Sequence, residues 1–185
     1  KDRDNNWISP DEIINFNGKK VLKENQALEV KVGPSESMSK SKKNTIDPQK
    51  IIEDYGADSA RLFILSDSPP EKDIQWSDEG IKSSYKFIQK LWSLNISIME
   101  EIAKNHPNDS SQNISRFTNL FIKKMTNNLS LFSYNVLIAN LHELYNYLNK
   151  EIKNQYTKKT LEENYSKILT TMIPIIPHFA MECIK

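Results

Sequence analysis

The sequence predicts a mainly α-helical chain in three parts. These are a small polar α/β or β-hairpin module at the N-terminus, a Ser/Lys-rich loop with short helices, and an antiparallel helix bundle. Three observations carry this prediction. Only four of the 185 residues are glycine, which argues against a large β-rich or loop-dominated fold. The apolar content beyond residue 77 is largely Ile and Leu, recurring at spacings of three and four. Segments of alternating apolar and polar residues are confined to the first 36 positions.

Within residues 1–36, Val21-Leu22 and residues 27–32 read as short strands, the latter with Leu28, Val30 and Val32 at period two. Asn17-Gly18 is a hairpin-turn signal. Trp7, Ile8 and Pro10 are the expected anchors of this module, and Gly33-Pro34 ends it. Residues 37–47 form a loop. Asp47-Pro48 then starts a helix, with Asp47 as N-cap and Pro48 at the first helical position. That helix carries Ile51, Ile52 and Tyr55 and stops at Gly56. A second short helix runs from about Asp58 to Ser66, and Pro69-Pro70 is its expected stop.

Ser77 is the expected N-cap of a long helix, because Asp78 and Glu79 suit the positive end of the helix dipole. Its expected buried face is Ile81, Tyr85, Ile88, Trp92, Met99 and Ile102, with a gap at Asn95. After a polar linker at 105–113, a helix over 114–128 presents Ile114, Phe117, Phe121 and Met125. The next, over 130–153, presents Phe132, Val136, Ala139, Leu144, Leu148 and Ile152. The last begins near Thr160 and carries Leu161, Tyr165, Ile168, Leu169 and Met172, before Pro174 and Pro177. Four long amphipathic helices with short connections make an antiparallel bundle. The expected division is 1–36, 37–76 and 77–185.

Composition narrows the function. The net charge of +1 excludes nucleic-acid binding by bulk charge, so any such contact requires local patches. Residues 31–50 hold five lysines against Glu36 and Asp47. One cysteine, Cys183, excludes a disulfide framework and fits a reducing, cytoplasmic setting. His106, His142 and His178 have no partner at metal-ligand spacing, so no metal site is expected. The longest apolar stretch, residues 172–181, is too short for a bilayer and is broken by prolines, so no membrane association is expected. The chain starts at Lys1 rather than Met and stops inside an apolar-periodic stretch, as a piece of a longer protein would.

The segment Ser37-Met38-Ser39-Lys40-Ser41-Lys42-Lys43-Asn44 is the most pointed feature. It has no glycine and so is not a Walker-type phosphate loop. It offers three lysines within four residues, hydroxyl residues between them, and no acid. Ammonium groups on mobile stems suit a polyphosphate, and an ordinary solvated Ser/Lys linker is the alternative for the motif taken alone.

The segment resembles the KMSKS signature of class I aminoacyl-tRNA synthetases. The resemblance continues through Asn44, Asp47-Pro48, Tyr55-Gly56-Ala57-Asp58 and Arg61-Leu62-Phe63. Ser68-Pro69-Pro70-Glu71, Trp76-Ser77-Asp78, Gly80, Phe87 and Lys90-Leu91-Trp92 resemble the leucyl branch of that class. So do Asn6-Trp7-Ile8-Ser9-Pro10, Phe132, Asn135, Asn146, and Pro174 with Pro177 and His178. One departure stands out: the family signature begins with Lys, and this chain has Ser37.

The resemblance implies a leucine-specific insertion-type module at 1–36, a signature loop at 37–76 and an anticodon-binding-type bundle at 77–185. It implies ATP as substrate with Mg2+, tRNA(Leu) and leucine as partners, a monomer, and no cofactor bound to this segment. Lys40 is the implied catalytic residue, and Met38, Ser39, Ser41 and Lys42 the other ATP contacts. Lys42 or Lys43 would compensate for Ser37. Lys43, Arg61, Lys123 and Lys124 are the tRNA candidates. Arg61 is also spaced for an ion pair with Asp58. The family's HIGH signature has no equivalent here, so the segment alone is expected to be inactive. The competing readings are another class I synthetase, isoleucyl or valyl, and a free-standing helical RNA-binding module.

Overall fold

The computed structural model describes residues 1, 2, 4, 6–67 and 71–185. It divides into two compact units, Lys1–Ile51 and Ile52–Lys185. The expected stop at Pro69-Pro70, and the motif residues Ser68, Pro69 and Pro70, lie outside the described residues.

In the first unit, strands β1 (Ile13–Phe16) and β2 (Lys19–Leu22) pair antiparallel, with Ile14 opposite Val21 and Phe16 opposite Lys19. Asn17 and Gly18 both have positive φ, 48° and 78°, as a two-residue primed hairpin turn requires. The hairpin is thus formed where the Asn-Gly signal put it. Its first strand is one that the alternation reading passed over. Conversely, residues 27–32 do not form a regular strand. Val21 and Glu29 make a single antiparallel bridge, and Val30 N–H donates to the Lys20 carbonyl at 2.8 Å. A short 3-10 turn (Pro10–Glu12) precedes the hairpin and another (Lys40–Lys42) lies in the loop.

Helix α1 (Pro48–Tyr55) starts as expected: Asp47 Oδ1 accepts from Gln49 N at 3.0 Å, and Pro48 has no N–H to satisfy. It ends at Gly56, whose φ of +80° is open to glycine at no steric cost.

In the second unit, α2 (Ala57–Asp67) packs on α3 (Asp78–Lys104), α5 (Tyr134–Glu151) and α7 (Pro177–Ile184). Helices α4 (Asn113–Ser130) and α6 (Lys158–Met172) pack on each other, α4 also on α5, and α6 also on α3 and α7. Together they enclose one core that includes Ile98, Ile114, Met125, Leu137, Leu141 and Ile168, each completely or almost completely buried. Helix α7 is an element beyond those the sequence pattern predicts. Its eight residues follow directly on a Pro-x-x-Pro turn and bury Phe179, Ala180 and Cys183.

Ser77 caps α3 by accepting from Gly80 N at 3.1 Å. Gly80 is needed for a close approach, because a Cβ there would sit 2.5 Å from the Phe63 ring. Trp76 closes the same corner, edge-on to Phe63 and donating Nε1–H to Asp78 at 2.8 Å. The Trp-Ser-Asp-x-Gly pattern therefore has a local reason: it docks the start of α3 on α2.

Two expected faces are corrected. On α3 the buried residues are Ile81, Phe87, Leu91, Leu94, Asn95, Ile98 and Ile102, whereas Tyr85, Trp92 and Met99 are exposed. Helix α3 carries two adjacent apolar stripes, and the one containing Asn95 is buried because Tyr165 Oη–H satisfies its Oδ1 at 2.8 Å. On α5, Leu137, Ile138, Asn140, Leu141, Leu144 and Leu148 are buried, and Val136 and Ala139 are exposed. Phe132 lies in the α4–α5 turn at φ 53°, exposed and edge-on to Tyr134.

Candidate functional site

The signature loop belongs to the first unit. Its backbone makes one 3-10 turn, with Lys42 N–H donating to the Ser39 carbonyl and Lys43 N–H to the Lys40 carbonyl, both at 3.1 Å. Lys43 closes the turn in the left-handed region at φ 51°. Asn44 braces the loop from inside. Its Oδ1 accepts from Ser39 N at 2.7 Å, and its Nδ2 donates to the Ser37 carbonyl at 3.3 Å. The Ser39 and Ser41 hydroxyls are 2.8 Å apart. The sequence places Asn44 in the motif without giving it a role. An amide within seven residues of two backbone groups in a glycine-free loop is the signal for it.

The lysines of the loop differ. Lys40 and Lys43 are exposed, and neither forms an ion pair among the described residues. Lys42 is half-buried: it pairs with the Glu36 carboxylate and its Nζ lies 5.8 Å from the centroid of the Trp7 ring. Hydrogen bonding and charge from Lys42 hold the Glu36 carboxyl below its ordinary value. Met38 is exposed beside this turn. The five expected ATP contacts are therefore contiguous on one braced turn, and Lys40 and Lys43 are the ammonium groups available to an incoming anion. Such a turn can offer a mobile cation, hydroxyl donors and a fixed backbone to a polyphosphate.

The tRNA candidates are scattered. Arg61 does not pair with Asp58. Its Nε donates to the Ile175 carbonyl at 2.9 Å and its Nη2 to the Pro174 carbonyl at 2.7 Å. Asp58 is buried and accepts from Phe179 N at 2.6 Å, from His178 N at 3.3 Å and from His178 Nδ1 at 3.0 Å. The spacing of three that suggested a local pair instead aims both side chains at one turn. Asp58 supplies the N-terminal cap that Ile176 has no side chain to provide, and Arg61 takes the carbonyls left over after α6. Lys124 pairs with Glu143 of α5 at 2.8 Å. Lys123 is exposed and lines an open groove along α4 with Leu120, Thr126, Asn127 and Ser130.

Among the described residues, no three His, Cys, Asp or Glu side chains group as a metal site. Each histidine has a neighbour: His106 faces Glu101 at 3.6 Å, His142 stacks 3.9 Å from Phe87, and His178 contacts Asp58. Burial raises the Cys183 thiol to about 11. No helix among the described residues is long and apolar enough to cross a membrane.

Comparison with known proteins covers both units. The family model for class I tRNA synthetases (I, L, M and V) matches residues 30–77, which include the whole loop. Leucine–tRNA ligase of Rickettsia bellii (strain RML369-C) is 38% identical over 183 residues, 98% of this chain and 22% of that protein. Leucine–tRNA ligase of Bartonella tribocorum (strain CIP 105476 / IBS 506) is 35% identical over 193 residues, 97% of this chain and 22% of its own length. The fold is similar to a chain from the ternary complex of Agrobacterium radiobacter K84 agnB2 LeuRS, tRNA and LeuAMS. The TM-score there is 0.69 at 22% identity, over 79% of this chain and 20% of that one. Over nearly its whole length the chain is thus similar to leucine–tRNA ligases, with a class I tRNA synthetase match at residues 30–77, and it spans about a fifth of the length of the relatives it matches.

Proposed function

We propose that this chain supplies the ATP-facing signature loop and part of the tRNA-facing helical domain of a cytoplasmic, monomeric leucine–tRNA ligase. The observation that carries the reading is the exposed ammonium of Lys40, which has no ion pair among the described residues, on a braced turn inside the segment that matches the class I family model. The full-length protein would take leucine, ATP as its Mg2+ complex and tRNA(Leu). The leucine carboxylate attacks the α-phosphorus of ATP and pyrophosphate leaves. The aminoacyl group then passes to the terminal ribose of the tRNA.

The first step asks little acid–base chemistry of the protein, so positioning and charge stabilisation dominate. Lys40 neutralises charge developing on the departing pyrophosphate. Ser39, Ser41 and the loop amides add donors, and Met38 shapes the loop over the phosphates. Ser37 offers no ammonium, which leaves Lys40, Lys42 and Lys43 as the cations of the loop. The segments 1–36, 37–76 and 77–185 then act as insertion module, signature loop with its connection, and helical tRNA-binding domain. Of the tRNA candidates, Lys43 and Lys123 are exposed and suited to phosphate contacts, whereas Arg61 spends Nε and Nη2 on the Ile175 and Pro174 carbonyls.

The test is Lys40→Ala in the full-length protein. ATP–pyrophosphate exchange falls about 10²–10³-fold, with little change in leucine binding. Exchange at the parent rate removes Lys40 from this role.

A further inference from the structure

Among the described residues, Lys42 is the one loop lysine in an ion pair, and its partner is an acid. Glu36 lies six residues before it, just ahead of the signature, and holds its ammonium in an ion pair. The Trp7 ring lies beneath, with Lys42 Nζ 5.8 Å and Lys1 Nζ 4.3 Å from its centroid, so this indole is a surface that attracts cations. The backbone at Lys42 is fixed by its bond to the Ser39 carbonyl at 3.1 Å and by the left-handed turn at Lys43. Only the side chain is therefore left to swing.

We infer that Glu36 is a positioning residue that sets the affinity for ATP, by competing with the polyphosphate for the Lys42 ammonium. The inference rests on the reading of this loop as ATP-facing. Both members of the pair are partly exposed, at 36% and 40%. Water and salt screen such a pair, and it is worth about a two- to fivefold factor in an equilibrium constant. A triphosphate carries several charges and takes the ammonium at that modest cost. An ammonium has three donors, so Lys42 bridges the two acids or leaves Glu36 altogether. In either case the carboxylate charge weakens ATP binding. The effect passes through Lys42, because Glu36 carries no donor for a phosphate.

The experiment uses the full-length protein and ATP–pyrophosphate exchange, with KM measured separately for ATP and for leucine. Glu36→Gln lowers the KM for ATP about two- to fivefold, while the KM for leucine stays put. Glu36→Asp, which keeps the charge on a shorter stem, falls between parent and Gln variant. The Glu36→Gln shift shrinks as salt is raised and vanishes in a Lys42→Gln background.

An unchanged or raised KM for ATP in Glu36→Gln overturns the inference. So does a shift that survives in Lys42→Gln, or one that appears equally for leucine. Lys40→Ala run in parallel separates the two levels. A normal loss there with no Glu36 effect sinks this inference alone. Parent-like exchange in Lys40→Ala sinks the ATP-facing reading and this inference with it.

Discussion

The two units are held by different forces. Among the described residues, the buried apolar side chains of Lys1–Ile51 are Val21 and Val30; the others belong to Ile52–Lys185. Turn geometry and polar contacts shape the first unit: the Asn17-Gly18 corner, the Asn44 brace and the Glu36–Lys42 pair. A continuous core and buried polar locks shape the second. The difference assigns tasks. Where side-chain contacts are worth little, an incoming anion can rearrange them, as the proposed role of the loop requires. Where burial is complete, a change of one group is felt as stability rather than activity.

The largest effect expected of that contrast in the second unit is at Asp58. Asp58→Ala leaves the N–H groups of His178 and Phe179 without an acceptor at a buried helix start. The cost is about 3 kcal/mol of stability. Denaturant unfolding of the variant, with hydrogen exchange of α7 as local probe, measures it, and a loss below about 1 kcal/mol would break the contrast. Gly80→Ala comes next. Alanine normally gains roughly 1 kcal/mol over glycine inside a helix, but here its Cβ meets the buried Phe63 ring at 2.5 Å. Overpacking exceeds the gain, for a net loss of about 1–2 kcal/mol. The double variant with Phe63→Leu recovers part of it, so the two effects measured by thermal unfolding are not additive.

The smallest effect is at Asp109. Its carboxylate accepts from Thr157 N at 2.6 Å and Thr160 Oγ1 at 2.7 Å, at the start of α6. These bonds, the backbone one foremost, hold its folded-state pKa below the ordinary 3.8. A depressed carboxyl pKa contributes stability that is complete above the unfolded value and fades as pH falls through the folded one. Asp109→Ala therefore costs about 1 kcal/mol at neutral pH, and the gap to the parent closes below about pH 4. A gap that persists in acid would show that the site is held by something other than the ionised carboxylate.

The sequence made some of this legible. The faces of α4 and α6 are read correctly because each carries one apolar stripe: Ile114, Phe121 and Met125 on one, Leu161, Ile168 and Met172 on the other. The faces of α3 and α5 are misread because each has apolar residues on two adjacent stripes, and the choice between them is made by neighbouring helices. Asn95 shows the point. It looks like a gap in an apolar face until Tyr165, 70 positions away, supplies its hydrogen bond. The loop is legible as a motif because its residues are contiguous, whereas the engagement of Lys42 and the brace at Asn44 are not, since each depends on turn geometry. The Asp58 and Arg61 contacts were out of reach, because both partners lie more than 110 positions along the chain.

That separation bears on how the protein is made. As the ribosome extends the chain, α2 emerges long before the Pro174–Phe179 turn that its acid and its guanidinium are built to grip. Until then Asp58 stays hydrated, and α2 is held by its packing on α3 and α5 alone. A turn more than 110 positions further along thus completes the grip on one of the first helices of this unit, a contact of high sequence separation that forms late. A product cut short before Pro174 would carry an orphaned charge where its interior should be, and quality control would meet it as a misfolded chain rather than as a shortened one.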